Sequence, residues 1–127
     1  MGEQNNNSEF WKKLEKEIAE EQEARKEYLP KLEQDVQKLK SRYEVFLEES
    51  PGDALRAKRD LVEGIVALEE LKERIRRCAD DPSKRHNLSE LELKELERRV
   101  MQDLGYPEDE LKLFDEYIEY LKQKNQP

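Results

Sequence analysis

The chain has 127 residues, of which 44% are charged and 35% are hydrophobic, and its formal net charge is −8. A single Cys78 and a single His86 exclude a disulfide within the chain and nearly exclude a metal site built from His and Cys. The acidic excess argues against a freestanding duplex-binding protein, and no apolar run is long enough to predict a membrane span.

The first residues are rich in Asn and Gln, and residues 1–7 are predicted to form a disordered tail because they offer little to bury. Ser8 is the expected N-cap of an N-terminal helical arm over residues 8–29. Apolar side chains recur in this arm at helical spacing, at Phe10, Trp11, Leu14 and Ile18. Residues 20–27 are almost entirely polar, so we expect that the arm is not packed along its whole length.

Pro30 marks the start of the predicted helical bundle domain, residues 30–127. Proline lacks the backbone N–H and its ring collides with the preceding turn, so the sequence predicts a kink or a break in the first helix. Beyond Pro30 the apolar residues have the spacing of a coiled-coil seam, at Leu32, Val36, Leu39, Tyr43 and Phe46.

A turn over residues 50–53 precedes the most apolar segment of the chain, residues 54–78. Pro51 and Gly52 favour this turn, and Asp53 is the expected N-cap of the second helix. Because the connection is short, we expect an antiparallel hairpin with residues 54–78 at the centre of the core. The apolar side chains of this segment are Leu55, Leu61, Val62, Ile65, Val66, Leu68, Leu71, Ile75 and Cys78.

Two shorter helices complete the predicted fold. Ser89 and Glu92 have the spacing of a capping box at the start of the third helix, and Gly105 supplies its stop. Pro107 then begins the fourth helix. The fold class is therefore all-α: an antiparallel helical hairpin or bundle with a kinked or broken N-terminal helix and two short C-terminal helices.

Few residues of the chain suit catalysis. Glu69-Glu70-x-x-Glu73 resembles the first half of the magnesium-binding motif of the MazG-type nucleotide pyrophosphatases, which are all-α enzymes. The second half of that motif, Glu-x-x-Asp, occurs nowhere in the sequence, so we interpret these carboxylates as solvated helix surface. We predict no catalytic residue, no cofactor and no metal site, and hence a protein that is not an enzyme.

A basic cluster lies at the end of the second helix and in the loop after it: Lys72, Arg74, Arg76, Arg77, Lys84 and Arg85. It could hold a phosphate backbone or an acidic partner. The favoured interpretation is that these cations complement the helix C-terminus and pair with nearby Glu69 and Glu70. Direct nucleic-acid binding is therefore not the preferred function.

The candidate interface comprises the apolar residues of the arm and a tyrosine pair on the last helix: Phe10, Trp11, Leu14, Ile18, Tyr117 and Tyr120. Two aromatic side chains at the start of a hydrophilic helix either anchor another protein or cap the end of this protein's own bundle. The tyrosine pair widens the apolar face of the last helix, as burial against two neighbours would require.

The expected function is a cytoplasmic, non-enzymatic protein–protein interaction module, such as a helical adaptor, assembly factor or accessory subunit. The low apolar content leaves a monomer with a thin core, so we expect homo-oligomers and no membrane partner. One alternative is an acidic inhibitor of a basic nucleic-acid-binding protein, as some phages encode. The other is a subunit of a nucleic-acid complex that uses the basic cluster within residues 74–85.

Overall fold

The fold consists of α-helices, and the computed structural model describes residues 2–125, with side chains from residue 7 onward. The helices are α1 (Gly2–Glu49), α2 (Pro51–Asp80), α3 (Glu90–Asp103) and α4 (Glu108–Lys124). The described residues contain no strand, which confirms the predicted all-α class. No helix within this range carries an apolar stretch long enough to cross a membrane.

Helix α1 is longer than the sequence predicted and has no break. It begins at Gly2, so Ser8 lies inside the helix and is not its N-cap, and it continues through Pro30. The predicted break is wrong because proline removes only one backbone donor, while the hydrogen bonds on either side still hold the helix together. A kink at Pro30 stays a prediction. The predicted disorder of residues 1–7 also stays a prediction, and Met1 lies outside the described residues.

A single residue, Ser50, separates α1 from α2. Pro51 occupies the first position of α2, where a missing N–H costs nothing and the fixed backbone angle suits the helix. The hydroxyl of Ser50 donates a hydrogen bond of 2.7 Å to Oδ2 of Asp53. Asp53, the predicted N-cap, therefore lies inside the first turn of α2, where its charge favours the helix dipole.

Helix α2 runs antiparallel to α1. A Cβ atom on Gly64 would lie only 2.7 Å from Cδ1 of Leu39, so the two helices approach closely at this glycine. Nearer the start of the chain, Glu21 of α1 accepts a hydrogen bond from Arg85, just after α2. Residue numbers thus fall along α1 as they rise along α2.

Helix α2 is central because it buries two faces. On one face, Leu61 and Leu68 pack with Val36 of α1. On the other face, Val62 packs with a cluster from α3 and α4 that contains Leu96, Val100, Met101 and Leu111. Ile65 contacts both groups and joins them into one core.

Leu55 was predicted to belong to the apolar stripe of the second helix, and this is wrong, because Leu55 is 74% exposed. The ammonium of Lys58 lies 4.5 Å from the ring centre of Tyr106, which belongs to the turn between α3 and α4. Leu55 lies almost one helical turn before Lys58, and the turn that contains Tyr106 does not cover it.

Local signals set the limits of α3. The hydroxyl of Ser89 accepts a 3.1 Å hydrogen bond from the backbone N–H of Glu92, and the Ser89 N–H donates one of 3.1 Å to the Glu92 carboxylate. These two bonds are the predicted capping box. At the other end, Gly105 has a φ of +79°, a left-handed conformation that suits the residue after a helix.

Candidate interaction surfaces

Helix α1 extends beyond the end of α2. It has 48 residues against 30 in α2, or about 72 Å against about 45 Å. We call its uncovered part with described side chains, residues 7–17, the overhang. Every side chain of the overhang is exposed except that of Leu14, which is partly buried.

Among the described side chains of α1, Ile18 is the first that is buried, at 3% exposure, and this corrects its place in the candidate interface. Arg85, in the loop that follows α2, donates hydrogen bonds of 3.0 and 2.8 Å to the carboxylate of Glu21, one turn beyond Ile18. Since Arg25 also meets Cys78 of α2, the end of α2 and this loop lie against α1 just after Ile18. It therefore belongs to the core and is not available to another protein.

Phe10 and Trp11 are the main apolar residues of the overhang. They are 59% and 58% exposed, and their rings meet edge to face with centres 5.2 Å apart. This is a favoured aromatic geometry, and it presents one joint apolar surface. The alternative that the pair caps this protein's own bundle does not fit their exposure.

The overhang extends the same face of α1 that packs on α2. From Trp11 the face continues through Leu14 and Ile18 and then through Gln22 and Arg25, in steps of three and four residues. Gln22 is 9% exposed, and the Arg25 guanidinium lies 4.0 Å from the Cys78 sulfur. Neither residue was predicted from the sequence to be buried, because both are polar, although their spacing from Ile18 already placed them on this face.

A second apolar surface lies on α4, and we call it the α4 stripe: Leu113, Tyr117 and Tyr120. These residues recur at helical spacing, and the tyrosine rings stack with centres 6.0 Å apart. Leu113 is 66% exposed and was not among the predicted interface residues, although its helical spacing to Tyr117 placed it on the same face. The Tyr117 hydroxyl donates a hydrogen bond to Glu90, which raises the pKa of the tyrosine.

The basic cluster is largely neutralised by neighbouring carboxylates. Its ion pairs are Lys72–Glu69 at 3.7 Å, Arg74–Glu70 at 3.6 Å, Arg76–Asp80 at 3.4 Å, Arg77–Glu73 at 3.0 Å and Arg85–Glu21 at 2.8 Å, with further pairs Arg76–Glu73 and Arg77–Glu92. Lys84 forms no ion pair within residues 7–125. The cluster therefore presents little free positive charge.

The three carboxylates of the magnesium-like motif are the partners in this network. Glu69, Glu70 and Glu73 each pair with a cation on α2, as expected for a solvated helix surface. Among the residues with described side chains, no group of three or more His, Cys, Asp or Glu is placed to hold a metal ion.

Arg77 of α2 pairs with two carboxylates that have strongly lowered pKa values, Glu73 on its own helix and Glu92 on α3. Hydrogen bonds from Arg76 and then Arg77 lower the pKa of Glu73 from 4.5 to about 2. A hydrogen bond from Arg77 and then one from the Ser89 backbone lower the pKa of Glu92 from 4.5 to about 2. Both carboxylates are therefore easier to ionise in the folded chain than in the unfolded one.

We expect the free energy of unfolding to fall as the pH is lowered from about 4.5 towards 2. In this interval the unfolded chain binds more protons than the folded chain, so protonation favours unfolding. Chemical denaturation at a series of pH values measures the dependence. In Arg77→Met the dependence should be flatter, because Glu92 loses the cation that lowers its pKa; an unchanged slope would contradict this role of Arg77.

No protein-family model, curated protein or solved structure matches the chain.

Proposed function

We propose that the protein is a non-enzymatic protein–protein interaction module that self-associates through the overhang of α1. Such a module would act as a helical adaptor, assembly factor or accessory subunit. The observation that supports this function best is that Phe10 and Trp11 remain more than half exposed on a helix that extends beyond its partner α2. Aromatic side chains contribute most of the binding energy at many protein interfaces.

The chemistry of the remaining surface supports an interaction module over a nucleic-acid-binding subunit or a magnesium enzyme. The cations that would contact a phosphate backbone are held in ion pairs, Arg77 with two carboxylates and Arg85 with Glu21. The carboxylates that resemble a magnesium motif are engaged in the same way. A reducing cytoplasm suits the one thiol, Cys78, which is free and buried.

The expected self-association is weak. Burying the exposed part of one Phe or Trp contributes roughly 1–2 kcal/mol, and a symmetric pair of copies buries four such side chains. Association costs at least about 4 kcal/mol in lost freedom of motion. At most about 4 kcal/mol therefore remains, so we expect dimers only at about millimolar protein concentration.

Light scattering over a wide concentration range tests this function. The apparent mass of wild type should increase with concentration from the 15.3 kDa of the monomer towards that of a dimer. The double variant Phe10→Ser/Trp11→Ser should stay monomeric. The folded core should be unaffected, since both side chains lie outside it, and equal melting temperatures at monomeric concentration would verify this.

Leu55→Ser is the matched control, because Leu55 is an even more exposed apolar residue, at the opposite end of α1 and α2. This variant should dimerise like wild type. Wild-type protein that stays monomeric at every concentration would overturn the proposal. So would loss of the dimer in Leu55→Ser to the same extent as in the double variant.

A further inference from the structure

We infer that two copies of the chain pair their α1 overhangs antiparallel, around a two-fold axis beside Phe10 and Trp11. The partner's helix would then occupy, over the overhang, the place that α2 occupies over the rest of α1. This pairing presupposes the self-association proposed above and specifies its geometry.

The first support is the continuity of the inner face of α1. The face that α2 covers from Ile18 onward continues without change of side through Leu14 to Trp11. An antiparallel helix already packs on this face along most of α1. A second antiparallel helix, supplied by another copy, extends the same interface in the same direction.

The second support is that the chain's other helices are engaged elsewhere. Helix α3 packs on α2 and α4 packs on α3, and neither packs against α1. Helix α2 ends at Asp80, and the loop after it reaches only as far as Glu21 and the neighbourhood of Ile18. Among the described residues, nothing therefore covers Phe10 and Trp11.

Steric exclusion by α2 determines that the two α1 helices pair antiparallel. In a parallel pair, the partner's α1 would continue past Ile18 along a face that α2 and its following loop already fill. In an antiparallel pair, the partner's helix ends at this boundary, so the two helices overlap over residues 2–17. The midpoint of that overlap lies beside Phe10, which brings the aromatic pairs of both copies to the axis. A two-fold pair of this kind is closed and uses the same surface on both copies.

Charge agrees with this arrangement. The overhang has three acidic and three basic side chains, whereas the whole chain carries a net charge of −8. With Glu3 included, the paired segments over residues 2–17 have four acidic and three basic side chains and are nearly neutral. The excess negative charge lies in the rest of each chain, and antiparallel pairing places these two acidic parts at opposite ends of the dimer.

Spin-label distances in the dimer test the geometry. Single cysteines replace Glu20 or Glu27, two exposed residues on the outer side of α1. Around an axis beside Phe10, each residue of separation from the axis adds about 3 Å between equivalent labels, which is twice the helical rise. We expect about 30 Å for Glu20→Cys and about 50 Å for Glu27→Cys. The native Cys78 is 1% exposed, so unmodified protein should take up no label.

The spin-label distances test the antiparallel geometry, and light scattering tests the self-association independently. Distances that increase by about 20 Å between the two positions support the antiparallel pair. Similar distances at both positions, in a protein that light scattering shows to be dimeric, would overturn the antiparallel pairing and leave the proposed function intact. A monomer in light scattering overturns both.

Discussion

Replacing Leu61 with Asp is expected to unfold the chain at room temperature. Leu61 is 2% exposed and packs with Val36 of α1 and Leu68 of α2. The substitution loses about 2–3 kcal/mol of apolar burial and places a carboxylate where no partner exists. Each of these costs is a large part of the 5–15 kcal/mol, in rough terms, that stabilises an ordinary domain.

Far-UV circular dichroism and thermal denaturation measure this effect, and the chain supplies its own control. Leu55 lies in the same helix but is 74% exposed, so Leu55→Asp should change the free energy of unfolding by no more than about 0.5 kcal/mol. If Leu61→Asp retained the helicity and melting temperature of wild type, the packing of α1 on α2 described above would be wrong.

Replacing Pro30 with Ala is expected to stabilise the protein by about 2 kcal/mol. Pro30 is exposed in the middle of α1, so the substitution removes no core contact. Alanine restores one backbone hydrogen bond and relieves the clash of the ring with the preceding turn, an effect of about 3 kcal/mol in a helix interior. The greater freedom of alanine in the unfolded chain offsets up to about 1 kcal/mol of this gain.

Denaturant titration of Pro30→Ala against wild type measures this change. Gln34→Ala, at an exposed position one turn later in α1, controls for the general preference of helices for alanine and should alter stability by only a few tenths of a kcal/mol. A decrease in stability in Pro30→Ala would show that α1 needs the proline, for instance to direct its first half onto the end of α2.

The helices themselves could be predicted from the sequence, since their signals are local. The apolar spacing of α2, the capping box at Ser89 and the stop at Gly105 depend on contacts between residues three or four positions apart. The predicted break at Pro30 was wrong. The energetic cost of a proline inside a helix can be read from the sequence, but the packing of α1 on α2, which outweighs this cost, cannot.

The exposure of the candidate interface residues could be predicted only in part. Phe10, Trp11, Tyr117 and Tyr120 are exposed as an interface requires, but Ile18 is buried and Leu113 had been left out. Exposure depends on what approaches a side chain in space. An apolar residue therefore has the same appearance in the sequence whether it belongs to the core or to a surface.

The sequence by itself determined that the chain is helical and where α2, α3 and α4 lie, because helix formation depends on spacing, caps and turns along the chain. Only the tertiary structure decided that Arg77 and Arg85 pair with carboxylates far along the chain and that Phe10 and Trp11 are exposed. Arg77 meets Glu92 across 15 residues and Arg85 meets Glu21 across 64, distances along the chain at which sequence carries no signal of contact. The overhang exists because α2 is shorter than α1 and its following loop ends the cover at Ile18.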